Sequence, residues 1–130
     1  ENKILFIGSI KRDEIVKYYN LADIMVTPSI VDKVGNVDGG PVSSFEAMAC
    51  GKPQIVTNVL GIANEIKDGV NGLIIPQKNV KALTEAMIKL IQSKTLRQRM
   101  AAANLSLIRS KLSTKFIGKI YCQYFSKIIS

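Results

Sequence analysis

The chain has 130 residues, enough for one domain with a real hydrophobic core, and its 47% apolar and 22% charged content is that of a folded globular protein. It contains no histidine, which excludes a Ser-His-Asp triad, an HExxH zinc site and any imidazole acid–base step within this chain. The formal charge of +8 is unevenly placed: residues 1–79 carry eight Lys/Arg against nine Asp/Glu, whereas residues 80–130 carry ten against Glu85 alone.

Along the chain, residues 4–8 (Ile-Leu-Phe-Ile-Gly) form a short apolar run ended by glycine, the pattern of a buried parallel strand. Asp13 is placed to cap a helix over 14–22, with Ile15, Tyr18, Tyr19 and Ala22 on one face. A second strand over 24–29 stops at Pro28-Ser29. Residues 30–41 read as a glycine-rich loop. A short helix follows from Val42 to Cys50, ended by Gly51 in the left-handed region and by Pro53. A third strand covers 54–58, Gly61 turns the chain into a short helix over 62–67, and Asn71-Gly72 is a turn before a fourth strand over 73–76. Asn79 caps the next helix, where Val80, Leu83, Met87, Leu90 and Ile91 recur at helical spacing. A second long helix carries Leu96, Met100, Ala103, Leu107, Ile108 and Leu112. The last, from about Thr114, pairs Phe116/Ile117, Ile120/Tyr121, Tyr124/Phe125 and Ile128/Ile129 on one broad apolar face.

Strands alternating with helices predict an α/β fold: a Rossmann-like parallel sheet with helices on both faces, ending in long C-terminal helices. The expected organisation is an α/β domain over 1–112 and an amphipathic helix over 113–130. Ligands of such sheets bind at the carboxyl ends of the strands, so the loops after Gly8 and Ser29 and the Gly61 turn should share one crevice. Cys50 and Cys122 are far apart and form no metal or redox motif; both read as reduced thiols, Cys50 buried. No apolar run approaches the roughly 18–20 residues of a membrane span. The expected location is cytoplasmic.

The chemistry concentrates in Asp38-Gly-Gly-Pro-Val-Ser-Ser-Phe-Glu46. Gly39 and Gly40 allow close backbone approach to a ligand, and Pro41 pre-sets helix entry. The N–H groups of Val42, Ser43 and Ser44 would then be open donors at a helix N-terminus, which attracts phosphate without needing lysine. Glu46, about one turn in, is positioned to accept from both hydroxyls of a ribose diol. Asp38, before the helix, would face a sugar on the other side of the phosphates. Ser43 and Ser44 have no base to activate them, so capping and phosphate contact fit better than nucleophilic roles. Gly8, Ile10 and Arg12 either border a base or form a plain strand-to-helix turn. Glu65 is either a site residue or a support for the Gly61 turn.

This segment resembles the E-x7-E region of retaining GT-B glycosyltransferases, particularly glycosyltransferase family four, the "group 1" transferases. Phe6-Ile7-Gly8, Tyr18-Tyr19 with Leu21-Ala22-Asp23, Pro28-Ser29, Glu46-Ala-Met-Ala-Cys-Gly-Lys-Pro53, Gly61 with Glu65-Ile66, and Asp68-Gly-Val-Asn-Gly72 all fit that family's C-terminal, donor-binding domain. The resemblance implies that Glu46 binds the nucleotide ribose, that Asp38 contacts the transferred sugar and is the catalytic position, and that no metal or other cofactor is used. Asp38 stands where the family usually has glutamate, one methylene longer. The resemblance also implies partners: a nucleotide diphosphate-sugar donor and an N-terminal acceptor domain, with the chain being the later part of the donor-binding half and inactive alone. The last helix is expected to pack on that acceptor domain; the rival reading seats its basic, apolar-faced surface on the inner face of a membrane. A GT-B-like nucleotide-sugar epimerase and a non-catalytic nucleotide-binding or interaction module are the alternative functions. Nucleic acid is not an expected partner, given the near-neutral first 79 residues.

Overall fold

A computed structural model describes residues 4–36, 41–59 and 61–129. Three strands, β1 (Met25–Thr27), β2 (Gln54–Thr57) and β3 (Gly72–Ile75), lie side by side in chain order, all parallel. Val26 stands opposite Ile55, and Ile55 opposite Leu73. All four residues of the central strand β2 are buried, so it shows no polar alternation, as a strand covered on both faces should.

Successive side chains point to opposite faces and divide the core in two. On one face Ile55, Leu73 and Ile75 pack with Ala86, Leu90 and Met100, from the helices α3 (Val80–Gln92) and α4 (Lys94–Leu107). On the other, Val56 packs with Met48 of the helix α2 (Val42–Ala49) and with Ile62 and Ile66, Ile74 lying partly buried against them. Each fully buried aliphatic side chain contributes roughly 1.5–3 kcal/mol. A shorter helix, α1 (Ile15–Leu21), lies beside α2 and buries Tyr19.

The polar residues explain where the helices begin and end. Asn79 Oδ1 accepts from Ala82 N at 2.9 Å to start α3, and Ser93 Oγ accepts from Leu96 N at 3.2 Å to start α4. Arg97 closes the end of α3 by donating to Leu90 O (2.7 Å) and Ile91 O (2.8 Å), and lies 3.5 Å from Asp23. Helix α2 ends with Gly51 N donating to Met48 O and Lys52 N to Ala47 O, Gly51 having φ +70°. This two-bond closure is the reason for glycine there.

Helix α4 crosses the amino edge of the sheet, with Met100 in one core cluster and Leu107 against the other. On the way, fully buried Asn104 donates to Lys52 O and Asn71 O, at 2.9 Å each. A π-helical turn (Ile108–Leu112) then leads to α5 (Thr114–Ile129), whose Phe116, Ile117, Tyr121, Tyr124 and Phe125 are exposed. Among the described residues no helix is long and apolar enough to cross a membrane.

Several sequence expectations need correction. Residues 4–8 are not a strand: they pair with no described strand, and Phe6 is 93% exposed. An apolar run reports a tendency to burial, but a strand also needs an edge to pair with, and this segment meets none among the described residues. Asp13 does not cap α1; the N-cap position is Glu14, no side chain caps it, and Lys11 O accepts from Glu14 N and Ile15 N. The helix over 62–67 shrinks to a 3-10 turn at Ile62–Asn64. There buried Asn71 accepts from Lys67 N (2.7 Å) and donates to Glu65 O (3.0 Å), in place of helical bonds. Gly72 belongs to β3 rather than to a turn, and a Cβ there would lie 2.7 Å from Gln54 O. Cys50 is half-buried rather than buried, and both cysteines are free.

Candidate functional site

Because α2 follows β1 and runs back across the sheet, its first turn lies at the carboxyl edge of the strands. Thr27, the last residue of β1, meets Ser44 in that turn: the two hydroxyls are 2.8 Å apart and buried. This contact corrects one expectation. Ser44 is fully buried and its N–H donates to Pro41 O at 2.9 Å, so neither its hydroxyl nor its N–H is open to a ligand. Nor does Ser43 or Ser44 cap the helix, since the N-cap position is held by extended Pro41 (φ −62°, ψ 124°) without a side-chain bond.

What remains is narrower. Val42 is exposed and Ser43 half-buried, and their N–H groups donate to no described residue. Two such N–H groups at the positive end of a helix are a place for an anion. Glu46, one turn further, is half-buried and accepts a hydrogen bond at Oε2 from Tyr19 Oη at 3.0 Å. Its Oε1 accepts from no described residue. Burial, and then the neighbouring Glu46 carboxylate, push the Tyr19 phenol up to about 12, so it stays a donor at neutral pH.

Asp38, Gly39 and Gly40 lie outside the described residues. The loop leading to them is organised by Asp32, which the sequence reading passed over. Its Oδ1 accepts from Val34 N and Asn36 N at 2.8 Å each, and its Oδ2 from Asn36 Nδ2 at 3.1 Å. These bonds hold its carboxyl below the usual carboxylate range, with Asn36 the largest cause. The Asp-x-x-Gly-Asn spacing, with Gly35 at φ +90°, is the signal that marks such a turn.

Gly8 (φ +72°) and Arg12 are exposed and Ile10 is half-buried; no hydrogen bond or ion pair among the described residues joins them to α2. The loop after β1 and the Gly61 turn share a crevice, but the turn after Gly8, expected to join them, does not line it. A cavity of about 360 Å³ is lined by Val31, Asn58, Ala63, Asn64 and Gln77, among others. Gln77 Oε1 accepts from Val31 N at 2.9 Å and Asn58 Oδ1 accepts from Gln77 N at 3.2 Å, which ties its rim together. Glu65 enters the structure through its backbone carbonyl, held by Asn71 below the Gly61 turn.

The three-stranded parallel sheet between helical layers, with a helix tip and a carboxylate at its carboxyl edge, is an α/β domain whose fold matches that of GT-B glycosyltransferase C-terminal domains. The family of glycosyl transferases group 1 matches residues 1–106, and the chain belongs to it. It is 29% identical over 129 residues to the amylovoran biosynthesis glycosyltransferase AmsK of Erwinia amylovora, covering 99% of this chain and 31% of that protein. It is 30% identical over 118 residues to the N,N'-diacetylbacillosaminyl-diphospho-undecaprenol alpha-1,3-N-acetylgalactosaminyltransferase of Campylobacter jejuni, covering 91% of this chain and 30% of that one. Among solved structures, a glycosyltransferase from Rickettsia africae superposes with a TM-score of 0.83 at 21% identity, over 99% of this chain and 33% of that one. The chain thus spans no more than about a third of these relatives (31%, 30% and 33%).

Proposed function

We propose that this domain binds the nucleotide diphosphate-sugar of a retaining, family-four glycosyltransferase and serves the donor side of hexosyl transfer. The observation that carries this reading is the pairing of an open helix tip with a half-satisfied carboxylate. Val42 and Ser43 offer N–H groups suited to a diphosphate, and Glu46 keeps Oε1 open for a ribose diol. In this reading the sugar faces Asp38, and the crevice beside Asn58 and Gln77 lies on the same edge of the sheet. As the bond from the anomeric carbon to the diphosphate breaks, negative charge grows on the leaving oxygen. Fixed N–H donors aimed at that charge stabilise the transition state more than the ground state, without calling on a metal. The acceptor half of the protein is the partner that completes the site, and the exposed apolar side of α5 is the surface offered to it.

Nucleotide-sugars of uridine, guanosine and adenosine, tested one by one on the full-length protein, should include one that raises its melting temperature. With that donor, Glu46→Ala removes a charge-assisted pair of about 1.5–3 kcal/mol and should weaken binding roughly 10- to 100-fold. Asp38→Ala should depress turnover at least as strongly. Unchanged donor affinity and turnover in both variants would remove the reading.

A further inference from the structure

Tyr19 and Glu46 are 27 residues apart, on neighbouring helices, and meet through a single hydrogen bond of 3.0 Å. Tyr19 is only 7% exposed, whereas the adjacent Tyr18 is 39% exposed. Phenylalanine would fill the same space at 19, so the hydroxyl adds something other than packing. What it adds is a donor aimed at one named oxygen. A glutamate side chain has three rotatable bonds and loses much rotamer freedom when held in one geometry. A carboxylate gripped at Oε2 by a buried, protonated phenol has already given up that freedom before any ligand arrives.

We propose that Tyr19 is the positioning residue for Glu46: by holding Oε2 it presents Oε1, already oriented, to the vicinal hydroxyls of the bound nucleotide's ribose. The proposal rests on the donor-binding reading above and adds to it a residue outside the Asp38–Glu46 segment. Preorganised groups bind more tightly because less order has to be imposed on binding. Oε1 is the oxygen that matters because it accepts from no described residue. Tyr19 touches no part of the ligand in this arrangement; it acts through Glu46 alone.

The test compares nucleotides that differ only in the ribose. On the full-length protein, titration calorimetry with UDP, GDP and ADP, each beside its 2′,3′-dideoxy analogue, gives the preference for the diol. The wild type should prefer the ribonucleotide by tenfold or more, and Glu46→Ala should abolish that preference. Tyr19→Phe should lose most of it, weakening the ribonucleotide about five- to tenfold while leaving the dideoxy analogue unchanged. In turnover the same variant should raise the donor KM and leave kcat near its original value, because the ribose is remote from the bond that breaks. A Tyr19→Phe/Glu46→Ala double variant should bind no worse than Glu46→Ala alone. If Tyr19→Phe weakens both nucleotides equally, or leaves the diol preference intact while Glu46→Ala abolishes it, the positioning role is overturned and the donor-binding reading stands. If Glu46→Ala itself leaves the preference intact, or none of the three nucleotides binds, the donor-binding reading fails first and Tyr19 falls with it.

Discussion

The amino edge of the sheet and the tip of α2 at its carboxyl edge use polar side chains in opposite ways. At the amino edge they are bonded to backbone: Asn104 donates to Lys52 O and Asn71 O, Gln54 donates to Lys52 O, and Asn71 bridges Lys67 N and Glu65 O. At the carboxyl edge the α2 tip bonds side chain to side chain, Thr27 to Ser44 and Tyr19 to Glu46, and among the described residues nothing donates to the second glutamate oxygen. Backbone carbonyls are obligatory acceptors, so satisfying them fixes the fold. Carboxylates carry spare acceptor capacity, so gripping one oxygen leaves the other for something else. The amino edge is a fastening, and the α2 tip keeps an acceptor to spare among the described residues.

That contrast is sharpest at Gly72. Gly72→Ala would push a Cβ to 2.7 Å from Gln54 O, a backbone atom that cannot swing away. A loss of about 3 kcal/mol is expected, read as a lower denaturation midpoint. Asn104→Ala comes next. It takes the side-chain donor from buried Asn71 O and one of two side-chain donors from Lys52 O, which keeps Gln54 Nε2, and should cost about 2 kcal/mol while leaving nucleotide-sugar affinity in the surviving folded protein unchanged. A larger change in donor affinity than in stability would break the distinction between the edges.

The smallest effect is expected in the Asp32 loop. Its carboxyl is lowered in the folded state, so ionised Asp32 favours the folded loop at every pH above its unfolded value of about 4. That contribution is lost as pH falls through the still lower folded value. Amide exchange at Val34 and Asn36, corrected for its intrinsic pH dependence, should therefore be protected from neutrality down to about pH 4 and lose protection below it. Asp32→Ala should abolish the protection at all pH values.

How much of this was legible depends on whether the signal was local. The Gln54–Thr57 strand declared itself by a continuous run, α3 by the capping Asn79 and its apolar spacing, and the end of α2 by Gly51. Each feature is decided within a few residues. Residues 4–8 carry the same kind of local signal without forming a strand, because pairing is settled by a partner edge and not by the run itself. Ser44 looked like a site residue, since its type and position suit a helix tip. Its burial against Thr27, seventeen residues away, decides otherwise. The Tyr19–Glu46 bond and the Asn104 fastening join residues 27 to 52 positions apart, and no periodicity records them. Asp38 falls outside the described residues, so its part in the site rests on the resemblance and on the proposed experiment.

The path of α4 has a mechanical consequence. By touching both core layers and stitching their entry turns together, it binds the domain along one side, as a spine binds a book. On the donor-binding proposal, the freedom to adjust to an incoming molecule would then fall to the unbound side, at the lip formed by the first turn of α2, the Asp32 loop and the Gly61 turn.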